Sequence, residues 1–154
     1  GMDTSNIYMD ETNRRMTMSF RLTFSRLAEK LIEENETEKA KKVIDKAFEV
    51  MPEMNVPYDL FVMYLAENYY AIGEMEKGNE VVRKLADLYE GDLLYYNSLE
   101  PKYAASVRND RQQAIAILNR LVVMSTQLYP QKDFGKEMSD RLSPYFGASN
   151  QQNR

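Results

Sequence analysis

The sequence predicts an all-α protein in which antiparallel helical hairpins stack as a short right-handed solenoid of about seven helices. Three observations lead there. Apolar residues recur at three- and four-residue steps through most of the chain. Turn-forming residues interrupt it at regular intervals, and the chain matches itself at an offset of 38 residues, Arg21 falling on Asp59.

The interruptions are Asn35-Glu36-Thr37, Met51-Pro52 through Val56-Pro57, Gly73, Gly91-Asp92, Asn109-Asp110 and Tyr129-Pro130. They divide the chain into segments of about 15 to 20 residues. In the first segment Met16, Met18, Phe20, Leu22 and Phe24 alternate with polar residues, as in a strand. Yet Met16, Phe20, Phe24, Leu27 and Leu31 also share a helix face. Helix is the consistent choice, because the stripe runs on through Ala28 and Ile32 with no Gly or Pro to turn a strand into a helix. Asn35 with Glu38 has the spacing of a capping box for the next helix, and Asn109 with Gln112 repeats the device further on. The stretch 57–72 is apolar nearly all round, Asp59, Glu67 and Asn68 being the main exceptions, so it should be covered on several sides. The clearest amphipathic segment begins at Asn109, with Ala114, Ile117, Leu121, Met124 and Leu128 on one face. Residues 1–9 are mostly polar, Gly1 before Met2 reading as a tag scar, and residues 147–154 form a polar tail; both are expected to fray. One domain is expected over residues 10–146.

Composition narrows the chemistry. In 154 residues there is no Cys, His or Trp, which removes thiol nucleophiles, imidazole bases, disulfides and Cys/His zinc sites. Catalysis by this chain is not expected, nor is a cofactor. The net charge of -4 provides no global attraction to nucleic acid or to an anionic membrane. The charge is uneven, with 15 acids and 10 bases in residues 1–77 but 8 bases and 4 acids in residues 101–154, a distribution most simply read as solvated surface. The longest apolar run, residues 60–66, is far short of the roughly 20 residues that span a bilayer, and no signal peptide opens the chain.

With Arg21 as the first position of a unit of about 34 residues, the helix-turn-helix pattern of the tetratricopeptide repeat falls on Phe24, Leu27, Ala28, Leu31, Ala40, Ile44, Ala47 and Pro52. A second unit from Asp59 places Leu65, Ala66, Tyr69, Gly73, Gly78 and Val82 at the matching sites, Gly73 standing where the first has Asn35. A third, degenerate unit near Tyr95 keeps Asn109, Ala114, Leu118 and Leu121. The units are thus 21–54, 59–92 and 95–128, followed by a closing helix over 131–146. Where the pattern prefers Trp the chain has Phe24 and Val62, so the match rests on the small residues and Pro52. A non-repetitive antiparallel bundle is the alternative.

A further likeness runs through Asn6-Ile7-Tyr8-Met9-Asp10, Arg14-Arg15-Met16, Phe20, Arg26-Leu27-Ala28, Val50-Met51-Pro52, Val56-Pro57-Tyr58, Gly78-Asn79-Glu80 and Leu85-Ala86-Asp87. Over nearly residues 6–129 it resembles the soluble C-terminal helical domain of a family of large bacterial membrane proteins. Their multi-spanning region is itself similar to sugar transferases of the protein O-mannosyltransferase type. The resemblance implies an accessory domain on the extracytoplasmic side, tethered to a membrane region that would carry any catalysis. A stand-alone chain would instead be cytoplasmic.

Site candidates follow from the register. Arg26, Glu29 and Ile32 on the first helix of unit one, with Leu60, Met63, Tyr64, Glu67 and Tyr70 on that of unit two, fall on the side that lines a concave groove, while Tyr69 is a packing position. Amphipathic rings with a few charges suit recognition of a protein or peptide partner. They also suit a glycan, since aromatic rings stack on sugar faces. The alternative is that helices over 109–128 and 131–146 occupy the groove; a structural oligomer without a ligand is a third reading. The carboxylate pairs Glu29/Glu33 and Glu34/Glu38 lie beside Lys30 and Lys39 and read as solvated intrahelical pairs. The cluster Glu33, Glu34, Glu36 and Glu38 lacks the spacing and Gly of a calcium loop, and no metal is expected. Asn35-Glu36-Thr37 is formally a glycosylation sequon, but its place in the turn makes capping the simpler role. The ten Met, among them Met16, Met63 and Met124, read as gap-fillers on apolar stripes.

Overall fold

The computed structural model describes residues 11–53 and 58–147. The expectations for residues 1–9 and for the tail beyond Gly147, and the motif residues Asn6 to Asp10 and Val56-Pro57, lie outside the described residues. Among the described residues the chain is all-helical: α1 Glu11–Glu33, α2 Thr37–Val50, α3 Leu60–Ala71, α4 Met75–Ser98, α5 Pro101–Ala104, α6 Arg108–Val123 and α7 Lys132–Leu142. A π-helical turn, Met124–Leu128, follows α6, and a 3₁₀ turn, Ser143–Tyr145, follows α7. Where one domain is expected, the contacts gather into two compact units, Gly1–Gly78 and Asn79–Arg154, the boundary falling inside α4.

In the first unit α1 is one uninterrupted helix of 23 residues, so the helical stripe prevails over strand alternation. Alternation needs a partner strand to satisfy its amides, whereas a helix satisfies them within itself. α1 packs against α2 and α3. Its last turn closes by the αL cap: Asn35 takes φ 61°, its N–H donates to Ile32 O at 3.0 Å and the Glu36 N–H to Leu31 O at 2.8 Å. The same two bonds recur after α3, where Gly73 at φ 83° donates to Tyr70 O at 3.0 Å and Glu74 donates to Tyr69 O at 2.9 Å. The equivalence of Asn35 and Gly73 therefore holds in geometry, and it corrects the capping-box expectation. Asn35 ends α1 instead of starting α2, whose N-cap is Glu36 with no side-chain cap bond. An Asn tolerates αL and also favours the N-cap, so the local pattern allows both.

Pro52 ends α2, because the residue before a proline is driven out of helical geometry; Met51 stands at φ -129°. Asp59 starts α3 by accepting from the Phe61 N–H at 2.9 Å. As its all-round apolar composition requires, α3 is heavily covered: Val62, Met63, Leu65, Ala66, Asn68, Tyr69 and Tyr70 are buried. The paired small residues also sit where close approach demands them, Ala28, Ala66, Ala40 and Gly78 all being buried. A Cβ on Gly78 would stand 2.5 Å from Tyr70 Cε1.

The second unit departs from a third hairpin. α4 runs through Gly91-Asp92 to Ser98, and only the four-residue α5 separates it from α6. Gly91 is exposed inside the helix, a tolerated cost rather than a break. Asn109 lies inside the first turn of α6, whose N-cap is Val107, so the second capping box does not form either. The stripe Ala114, Ile117, Leu121 and Met124 is buried, but Leu128 is about half exposed. The turn between them is π, with the Tyr129 N–H on Met124 O at 2.8 Å, and the wider turn rotates Leu128 off the face. Met124 and Met63 fill core space as expected, whereas Met16 is largely exposed.

α7 is tied to α4 by polar pairs in rising order along both helices. Asn79 and Gln131 exchange two amide hydrogen bonds at 2.9 and 3.0 Å. Arg83 makes a bidentate pair with Glu137 at 3.2 and 2.9 Å and covers the Phe134 ring at 4.9 Å. Arg141 binds Glu90 at 2.8 and 3.2 Å and also reaches Asp87. Gly135 brings α7 close to the π-helical turn after α6, since a Cβ there would stand 2.7 Å from Ser125 O.

Candidate functional site

The predicted groove residues all belong to the first unit, on α1 and α3. The two helices are fixed side by side by polar contacts that a bare apolar interface would lack. The Arg21 guanidinium, buried to 2% side-chain exposure, donates to Asp59 Oδ2 at 2.9 Å and lies 5.7 Å from the centre of the Tyr58 ring. Further along, Asn68 Nδ2 donates to Ser25 O at 3.1 Å and to Ser25 Oγ at 3.0 Å, with both residues buried. Buried polar groups are costly unless bonded, so these pairs fix the register of α3 on α1 more sharply than Leu or Ala contacts do.

On this framework Arg26 and Glu29 are exposed, and Ile32, Leu60, Tyr64 and Glu67 are half-buried. Tyr64 lies 6.1 Å from Phe61 in a tilted ring pair. Met63 and Tyr70 are different: at 5% and 2% exposure they are core residues, Tyr70 being packed on Gly78. A ligand reaches neither without displacing the core. The accessible part of the predicted set is therefore Arg26, Glu29, Ile32, Leu60, Tyr64 and Glu67. A helix that is apolar all round does not reveal which of its stripes stays open, which is why the register alone put Met63 and Tyr70 on the wrong side of the surface.

A second polar cluster, outside the predicted set, joins α2, α3 and the start of α4. Asp45 Oδ1 accepts from Tyr69 Oη at 2.6 Å and from Lys77 Nζ at 2.8 Å, and Lys77 Nζ stands 5.6 Å above the Tyr69 ring. Phe48 stacks on the same ring, 5.7 Å away and 9° from parallel, and meets Tyr58 edge-on at 6.0 Å. Lys41 pairs with Glu74 at 2.9 Å beside it. Partial burial disfavours the Asp45 carboxylate, but the hydrogen bonds from Lys77 and Tyr69 and the charges of Lys77 and Lys41 outweigh it and hold its pKa below the ordinary value. The Tyr69 phenol is pushed up, first by burial and then by its bond to Asp45. A phenol and a lysine donating to one carboxylate tie α2 to α3 and to the start of α4. The signal for this cluster was present at helical spacing, Lys41, Asp45 and Phe48 sharing one face of α2.

The carboxylates of α1 and the following turn behave as surface groups: Glu33 pairs with Lys30 at 3.9 Å and Glu36 with Lys39 at 3.4 Å. Among the described residues no three acidic side chains converge as a metal site. No helix among them is long and apolar enough to cross a membrane. No protein-family model, curated protein or solved structure matches the chain.

Proposed function

We propose that this chain is a non-catalytic helical-repeat domain that captures an extended protein segment on the open faces of α1 and α3. One observation carries the reading. Two helices are locked in register by buried polar pairs, Arg21 with Asp59 and Ser25 with Asn68, while Arg26, Glu29, Tyr64 and Glu67 beside those pairs keep accessible side chains. A rigid pair of helices presenting an amphipathic ring and charges of both signs binds an extended chain with little ordering cost.

The tetratricopeptide-like reading is supported by the recurrence of the αL cap at Asn35 and Gly73 and by burial of Ala28 with Ala66 and Ala40 with Gly78. On this reading two hairpins carry the repeat. The chain would serve as the soluble, extracytoplasmic tail of a bacterial membrane protein similar to sugar transferases, the membrane region holding the chemistry. The second reading, a face for a glycan or glycoprotein substrate, draws on Tyr64, whose ring is half open and able to stack on a sugar.

Selection of a displayed random-peptide library on the immobilised chain, followed by titration of the selected peptides and of a glycan panel, separates the two. Enriched peptides whose binding is lost in Arg26→Ala, Tyr64→Ala and Glu67→Ala support protein capture. Binding of glycans alone supports the second reading and overturns the first.

A further inference from the structure

α1 carries an apolar stripe that the fold leaves open. Met16, Phe20 and Leu27 are 52%, 52% and 48% exposed and, with Thr23, lie within about 60° of arc on the helix. The core face, marked by buried Arg21, Ser25 and Ala28, looks the other way, toward α2 and α3. The spacing 16, 20, 23, 27 alternates four and three, the step of a helix-pairing seam.

The repeat register says what such a stripe fits. At the offset of 38, Phe20, Phe24, Leu27 and Leu31 correspond to Tyr58, Val62, Leu65 and Tyr69. α2 meets this row: Tyr69 of α3 stacks on Phe48 of α2 and binds its Asp45, and Tyr58, just before α3, meets the same Phe48. Leu65 is accordingly 1% exposed, against 48% for its counterpart Leu27. α1 thus displays the counterpart of that helix-receiving face with Met16, Phe20 and Leu27 open.

We propose that this face pairs with α1 of a second copy, antiparallel and two-fold symmetric. In that register Met16 meets Leu27 of the second copy and Phe20 meets its Thr23, each pair twice by symmetry, as an isologous contact requires. The charges agree with it. Lys30, one seam step beyond Leu27, comes opposite the neutral Asn13 of the second copy, whereas a parallel pair would set Lys30 against Lys30. At the start of α1 Arg14 and Arg15 outnumber Glu11, and over its end and the residue after it Glu29, Glu33 and Glu34 outnumber Arg26 and Lys30. An antiparallel pair lays the basic end along the acidic end twice and opposes the two helix dipoles; a parallel pair stacks like on like. Three half-open apolar side chains per copy make a small interface, so the dimer is weak, with a dissociation constant in the micromolar range.

The full chain has no Cys, which makes introduced thiols unambiguous reporters. Met16→Cys and Leu27→Cys chains are mixed under mild oxidation, with sedimentation equilibrium on the unmodified chain in parallel. The expected result is a concentration-dependent dimer and a disulfide joining position 16 to position 27 far faster than 16 to 16 or 27 to 27. Phe20→Glu with Leu27→Glu, both at exposed sites, abolishes the dimer while the helical circular dichroism stays unchanged. A strict monomer at high concentration, or like-to-like disulfides predominating, overturns the proposal.

Discussion

Arg21 on α1 and Asp59 at the start of α3, 38 residues apart in sequence, are bonded to each other at 2.9 Å. Asp59 has a second duty, accepting the Phe61 N–H as the N-cap of α3. One carboxylate thus starts a helix and neutralises a buried guanidinium.

Replacing Asp59 by Ala removes the cap and leaves Arg21 charged in the core. The expected loss is about 3 kcal/mol, the low end for breaking a buried pair, because Asp59 itself is partly exposed. Arg21→Met, which keeps volume and removes the charge, costs less. Urea midpoints of the two variants check the order, and an equal or reversed order would mean the cap and the charge pair carry little weight.

Acid weakens the first unit through Asp45. Its folded pKa lies below the unfolded value of about 4. The stability it adds is therefore fully present above that value and is lost as pH falls through the folded one. Thermal melts taken downward from pH 6 should show a steeper fall for the unmodified chain than for Asp45→Asn. Tyr69→Phe, which deletes one donor to Asp45 and leaves Lys77 in place, should cost about 1 kcal/mol at neutral pH.

The glycines separate two kinds of cost. Gly73→Ala meets no atom within 4 Å, so its penalty is backbone strain alone at φ 83°, about 1 kcal/mol. Gly78→Ala sits in a helix, where propensity favours Ala, yet its Cβ would strike the Tyr70 ring at 2.5 Å in the core. Net destabilisation of about 1–3 kcal/mol is expected from the overpacking. Gly135→Ala meets the backbone carbonyl of Ser125, which has less room to yield than a side chain, and should loosen α7 from the π-helical turn after α6. Hydrogen exchange of the α7 amides reads that directly.

Tyr64 and Tyr70 offer a contrast within one helix. Tyr70→Ala opens a core cavity and should cost about 3–5 kcal/mol, whereas Tyr64→Ala, half-buried, should cost much less. Glu67→Ala should leave the melting temperature nearly unchanged. Calorimetric melts of the three variants check this order.

The helices were legible where the chain carries long stripes, α1 and α6 above all, because burying a continuous apolar face dominates local ambiguity. Boundaries were less so. Asn35 and Asn109 both carry the chemistry of a cap, but Asn35 serves as the αL end of α1 and Asn109 lies within α6. Neither outcome is written in the two or three residues around it. Gly91 reads as a stop, yet Leu93 is buried two residues on, and continuing α4 keeps that contact. The polar pairs were invisible for another reason: Arg21 with Asp59, and Asn68 with Ser25, join residues 38 and 43 apart. Only the offset of 38 hinted that Arg21 and Asp59 were related. Among the candidate groove residues, the exposure of Arg26 and Glu29 was legible from helix period, while that of Met63 and Tyr70 depended on what covers α3.

We propose that the open faces of α1 and α3 receive an extended polypeptide. The direct measurement is a ¹H–¹⁵N titration of the labelled chain with a peptide selected from the displayed library. Saturable shifts clustered at Arg26, Glu29, Ile32, Leu60, Tyr64 and Glu67 are expected, with the amides of the second unit unmoved. Failure to select any peptide, or shifts confined to α6 and α7, would contradict it.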